Sequence, residues 1–258
     1  MEYEKTGGFF YRAAPQPFDP KKPTLILIHG AASNGSFWEE QAGGLKDTVN
    51  TAAPDLPGHG RDRGPAKDSV RGCADAVLAF IDAVRPPGPL SLCGISMGGA
   101  IVLELLTGAR RELFASGVLI NTGAKLGVDR AILDLIERDY SDYIAMLRLF
   151  AVSQNTEPEK TQTHIQEIAK CDPRVALGDF QACHAFDARD RLDRIKAPVL
   201  VLSAGDDTLT PPAYGEFLAQ KIKDARLAHI PGAGHLSPIE KPGEVNAAIR
   251  EFLRGAGQ

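Results

Sequence analysis

The chain is poor in the features that mark several large protein classes. It has four cysteines in 258 residues, and Cys73, Cys93, Cys171 and Cys183 include no C-x-x-C spacing. Two of them fall in apolar segments, so neither a disulfide framework nor a zinc site is expected. No apolar run approaches the roughly 18 residues of a membrane span. The opening Met-Glu-Tyr-Glu-Lys has neither the charged nor the apolar region of a signal peptide. A soluble, cytoplasmic protein with no membrane span is expected on these grounds. Positive charge is also scarce, since 29 Lys and Arg face 33 Asp and Glu for a net charge of −4. That balance offers no field for nucleic acid or anionic lipid, and leaves small molecules as the expected partners.

What is present is material for a core. At 43% hydrophobic residues the chain can fill one large α/β domain or two small ones. Residues 1–12 alternate Tyr, Phe and charged positions around Gly7-Gly8, which predicts a β-hairpin at a sheet edge. Thr24-Leu-Ile-Leu-Ile28 is a continuous aliphatic run, as in a strand covered on both faces, and it ends in the small-residue loop His29–Gly35. A helix over Phe37–Leu45, capped by Ser36, precedes a short strand at Val49–Ala53. Residues 69–84 repeat apolar positions at helical spacing and stop at Pro86-Pro87. A strand at Leu90–Cys93, a helix from Met97 to Thr107 and a strand at Gly117–Ile120 follow.

From about Gly123 to Leu192 the rhythm changes. No strand-like run occurs there, and the segments around Ile132–Phe150, Glu157–Lys170 and Val175–Phe186 read as helices. Strand and helix then alternate again: Val199–Leu202, Pro212–Ile222, Arg226–Ile230 and Pro242–Leu253. The pattern predicts an α/β fold with a mostly parallel central sheet of about eight strands, flanked by helices and interrupted after the sixth strand by a helical lid. The expected core is residues 1–122 and 193–258, and the expected lid is 123–192.

The stretch that could carry chemistry is Gly94-Ile-Ser-Met-Gly98, set between an apolar strand and an Ala/Leu-rich helix. Glycines two before and two after Ser96 permit a turn tight enough to lift its hydroxyl clear of the sheet. The five residues alone are weak, because a glycine-rich βα loop with an ordinary serine reads the same way. A serine nucleophile also needs a base and a group that holds the base's tautomer. Parallel sheets present functional loops after their strands, and two later strands are followed by Asp206-Asp207 and by Gly232-Ala-Gly-His235. A nucleotide site fits less well: Ser96 stands where G-x-G-x-x-G needs its second glycine, and no Lys-Ser/Thr closes a P-loop.

With these residues in order, the chain resembles the α/β-hydrolases of esterase and lipase type over nearly all its length outside the helical insertion. The marks are His29-Gly30, Asp55-Leu-Pro-Gly-His-Gly60, Gly94-x-Ser-x-Gly98, Asp207-x-x-Thr-Pro211 and Gly232-Ala-Gly-His235. The resemblance implies Ser96 as nucleophile, His235 as base and Asp207 as orienting acid. Asp206 competes for the last role, and Ala204 replaces the glycine usual three residues before the acid. Some relatives place the acid after the sixth strand, where this chain has the uncharged Asn121. The backbone N–H groups of Met97 and Ala31 are implied as oxyanion donors. The resemblance further implies hydrolysis of a small, partly apolar carboxylic ester without metal or cofactor, with lactone, thioester or C–C bond hydrolysis as alternatives. A non-catalytic small-molecule receptor on the same fold is the competing class; the complete set Ser96, Asp207 and His235 argues against it. A dehalogenase or epoxide hydrolase would need Asp in place of Ser96. The lid's apolar stripe, including Ile144, Leu147 and Phe150, is expected to line the substrate pocket.

Overall fold

The computed structural model describes residues 3–256, so the first two residues of the expected hairpin and the last two of the core lie outside the described residues. The hairpin forms from β1 (Tyr3–Thr6) and β2 (Phe9–Ala14), turning through Gly7 and Gly8, both at positive φ. It pairs antiparallel with β4 (Asn50–Pro54), and every later pairing is parallel. The remaining strands are β3 (Thr24–Ile28), β5 (Leu90–Ile95), β6 (Phe114–Ile120), β7 (Val199–Ala204) and β8 (Ala225–Ile230). Their order across the eight-stranded sheet is β1-β2-β4-β3-β5-β6-β7-β8.

The aliphatic run of β3 explains its central place. Leu25, Ile26, Leu27 and Ile28 are all fully buried, and they alternate between two cores. Ile26 and Ile28 pack with α2 (Val70–Val84) and α3 (Met97–Thr107) on one face. Leu25 and Leu27 pack on the other, where α1 (Glu39–Leu45) and α10 (Pro242–Ala256) lie. Each such side chain contributes about 1.5–3 kcal/mol of apolar burial. Ser69 caps α2, its Oγ accepting the Gly72 N–H at 3.2 Å, and the helix ends at Arg85 in a left-handed conformation just before the two prolines.

Two expectations for the helices are corrected. A 3₁₀ turn, Gly35–Trp38, precedes α1, and its cap is Asn34, whose side chain accepts the Ser36 N–H at 2.9 Å, so Ser36 is inside the turn rather than its cap. The segment 132–150 is not continuous. It divides at Asp139 into α4 (Arg130–Arg138) and α5 (Tyr140–Ala151), because the extended backbone of Asp139 lets its carboxylate accept the N–H groups of Ser141 and Asp142. With α6 (Pro158–Ala169) and α7 (Pro173–Ala185), these four helices fill the chain between β6 and β7. The last part of the fold is α8 (Pro212–Lys221) and the short α9 (Ser237–Glu240). Among the described residues no helix is long and apolar enough to cross a membrane.

Candidate active site

Ser96 is the single residue between β5 and α3, and its backbone lies at φ 54°, ψ −119°. A serine adopts that conformation only when its surroundings impose it, at a cost of roughly 1–3 kcal/mol. The surroundings are the two motif glycines. A Cβ at Gly94 would collide with the Gly98 carbonyl, and one at Gly98 would collide with the carbonyls of Ile28 and His29. The turn is held by the Ser96 N–H donating to Ile120 O at 3.1 Å and by Thr122 Oγ1 donating to Ser96 O at 2.8 Å. The side chain of Met97 is fully buried in the core, while its N–H opens α3 among the groups that have no partner within the helix.

His235 follows β8 and Asp207 follows β7, and the fold brings them to 2.9 Å between His235 Nδ1 and Asp207 Oδ2. The carboxylate accepts three further bonds, from the N–H groups of Leu209 (2.9 Å) and Thr210 (3.0 Å) and from the Thr210 hydroxyl (2.7 Å). Burial alone would raise the Asp207 pKa. The neighbouring His235 and the Thr210 bonds outweigh it and hold the carboxyl below its ordinary range. An ionised Asp207 only accepts, so Nδ1 of His235 carries the hydrogen and Nε2 is left as the basic nitrogen. Asp206 is exposed and turns away, accepting the Ser153 hydroxyl at 2.6 Å. It does not touch the histidine.

Ser96 and His235 line one cavity of about 260 Å³, together with Gly30 and Ala31 of the loop after β3. Its other wall comes from the helices between β6 and β7, through Ile132, Tyr143, Leu147, Ala151, Ile168 and Phe180. Of the three side chains expected from the apolar stripe only Leu147 reaches it. Tyr143, Leu147 and Ala151 share one face of α5 at four-residue spacing; Ile144 stands about a quarter-turn away and is half-buried, and Phe150 is 42% exposed. Among the described residues no group of three or more His, Cys, Asp or Glu side chains is arranged to hold a metal ion.

Three buried polar residues support the site, and two of them, Glu240 and Asp179, had no sequence motif to announce them. Asn121 directly follows β6 and ties the loops together, its amide oxygen accepting from Ala204 N and its nitrogen donating to His235 O. Glu240 accepts the N–H of Gly234 (3.0 Å), the N–H of Ser153 (2.9 Å) and the Thr156 hydroxyl (2.7 Å), joining the histidine loop to the segment after α5. Asp179, on α7, meets both Ala32 and His59 at 2.8 Å. The signal that could have found Asp179 is a carboxylate between Ala176 and Cys183 on the apolar face of a helix.

Comparison with known proteins agrees with this geometry. A model of the alpha/beta hydrolase family matches residues 25–248. The pimeloyl-[acyl-carrier protein] methyl ester esterase of Neisseria meningitidis serogroup B is 30% identical over 246 residues, covering 90% of this chain and 93% of that protein. The 3-oxoadipate enol-lactonase 2 of Acinetobacter baylyi is 27% identical over 241 residues, covering 90% and 89%. In three dimensions the thermophilic esterase of Thermogutta terrifontis superposes with a TM-score of 0.86 at 23% identity, over the full length of both chains. A strand-to-helix serine, a histidine bonded to a buried aspartate and a family match across most of the length lead to one assignment: the chain belongs to the alpha/beta hydrolase family.

Proposed function

We propose that the protein is a serine esterase that cleaves small, uncharged carboxylic esters through an acyl-enzyme at Ser96. The observation that carries this reading is the 2.9 Å contact from Asp207 to His235, the histidine being on the wall of the cavity that Ser96 also lines. In the first half-reaction Nε2 of His235 takes the Ser96 proton as Oγ attacks the ester carbonyl, and Asp207 stabilises the imidazolium that forms. The oxyanion is received by the N–H groups of Met97 and Ala31. Collapse expels the alcohol, which takes the proton from His235. Water then repeats the sequence on the acyl-enzyme, releasing the acid and regenerating Ser96.

The cavity wall favours an acyl group without charge. None of its lining residues is Lys or Arg, and the one carboxylate, Asp129, is exposed and caps α4 by accepting the Ala131 N–H. A substrate carboxylate would enter with no cation to pair it. Residues 123–192 act as the lid that supplies this apolar wall. A lactonase reading is kept because a lactone is an internal ester cut by the same steps, and the Acinetobacter baylyi relative is named as an enol-lactonase.

An organophosphonate probe and a panel of p-nitrophenyl esters test both points. Phosphonylation of Ser96 and turnover of acyl chains ending in methyl, with at least a hundredfold lower kcat/KM for equal chains ending in carboxylate, is the expected result. Labelling at another residue would refute the mechanism, and equal use of the carboxylate chains would refute the substrate class. A faster rate on the lactone than on the open ester of the same acid would select the lactonase reading.

A further inference from the structure

Asp179 belongs to the helices between β6 and β7, yet its carboxylate bonds to neither of its own neighbours. It is 1% exposed, and its Oδ2 accepts the N–H of Ala32 at 2.8 Å and contacts His59 Nε2 at 2.8 Å. The other ring nitrogen of His59 faces the Pro57 carbonyl at 3.1 Å. The Pro57 carbonyl can only accept, so Nδ1 of His59 donates to it, and Nε2 meets the Asp179 carboxyl, which favours the charged form of the ring. One oxygen of Asp179 thus serves both the histidine and the Ala32 N–H in a site closed to solvent.

The peptide it holds adjoins the one that matters for the chemistry. The N–H of Ala31 shares a rigid plane with the Gly30 carbonyl. That carbonyl accepts from His29 Nδ1 at 2.8 Å and from Ser33 N at 3.3 Å. The next plane, from Ala31 to Ala32, turns through a left-handed residue, with Ala32 at φ 56°, and is pinned by Asp179. Two successive planes of the loop are thus fixed, the first by the loop and β3, the second from α7 across a gap of 147 residues in sequence.

We propose that Asp179 is a positioning residue for the oxyanion site: by holding the Ala32 N–H it fixes the plane that adjoins the Ala31 donor, so that α7 supplies a second anchor for the donor's orientation beside the bonds to the Gly30 carbonyl. The proposal rests on the esterase reading of Ser96 and on Ala31 as an oxyanion donor. It couples closure of the helical segment to transition-state stabilisation, not to substrate binding, and that distinction gives the test.

The variants are Asp179→Asn, which removes the charge, and Asp179→Glu, which keeps a counter-ion for His59 but displaces the acceptor. Active sites are titrated with the phosphonate, and kcat and KM are measured per titrated site. Affinity is measured for a trifluoromethyl ketone, which forms an oxyanion on Ser96, and for the corresponding carboxylic amide, which does not. The expected result in either variant is a loss in kcat of tenfold to about a hundredfold, a KM within threefold of the parent, and a loss of ketone affinity that follows kcat while amide affinity holds. Unchanged kcat per site and unchanged ketone affinity, with only the melting temperature lowered, would overturn the proposal. Should the parent protein neither be labelled at Ser96 nor hydrolyse any ester, the esterase reading itself fails, a result distinct from active, labelled variants with full kcat.

Discussion

The side-chain amide of Asn121 donates to the carbonyl of His235 at 2.8 Å, and to Gly234 O and Ser237 Oγ as well, while its oxygen accepts the Ala204 N–H at 3.0 Å. The residue is 2% exposed, so one amide at the end of β6 holds the ends of β7 and of the histidine loop in register. Asn121→Asp would set a carboxylate against two carbonyl oxygens. It is expected to lose about 1–3 kcal/mol in denaturant unfolding and to lower kcat, without replacing Asp207 as the acid. A variant as stable as the parent would show that the amide donor is dispensable.

Asp207 and Asp206 are adjacent in sequence and opposite in setting. Asp207→Asn takes the charge from beside His235 and frees its tautomer, so kcat should fall about 10³–10⁴-fold with the fold retained. Asp206→Asn should leave kcat within threefold, because its carboxylate reaches Ser153 and not His235. Steady-state kinetics on one p-nitrophenyl ester decide the pair, and the reverse ranking would move the acid to Asp206.

The serine turn depends on absent side chains. Gly98→Ala would drive a methyl into the Ile28 carbonyl and to 2.7 Å from that of His29, main-chain groups that cannot swing aside. The expected outcome is a destabilisation of about 1–3 kcal/mol together with loss of phosphonate labelling at Ser96. Normal labelling by mass spectrometry would contradict the account of the turn.

Two buried pairs give stability opposite dependences on pH. Burial disfavours the charged form of His59, but Asp179 outweighs it and raises the pKa above the ordinary 6.5. Its contribution is therefore full below about pH 6.5 and is lost as pH rises through the raised value. Asp207 is depressed below 3.8, so its contribution is full above that value and is lost as pH falls through the lowered one. As pH rises above 6.5 the parent should lose melting temperature in a step that His59→Gln does not show. Parallel curves for the two proteins would exclude His59 as the titrating group.

The strands and the site's three protagonists were legible because they are local or ordered signals. β3 announced itself as an unbroken aliphatic run, and Ser96, Asp207 and His235 each follow a strand in the family's order. What stayed hidden is contact across distance. Apolar spacing identified α5 as amphipathic, but it could not say that the face of Tyr143 and Leu147 meets the cavity while Ile144 and Phe150 do not. His59 is visible in the sequence only as part of the Asp55–Gly60 mark, and its partner lies 120 positions away on a helix with no motif. The division at Asp139 is hidden in the sequence because a capping carboxylate inside a helical pattern looks like one more exposed charge.

The two walls of the cavity have separate origins, and that sets how the chain can be remodelled. Ser96, Asp207 and His235 follow β5, β7 and β8, whereas the apolar wall opposite belongs to α4–α7. A helical segment grafted from another hydrolase would retailor substrate choice without moving Ser96, Asp207 or His235. The graft would have to bring its own acid to position 179, or the loop at Ala32 would be left without its anchor. On the proposed esterase reading, selectivity would move as a module, with a single carboxylate as the joint that must be carried along.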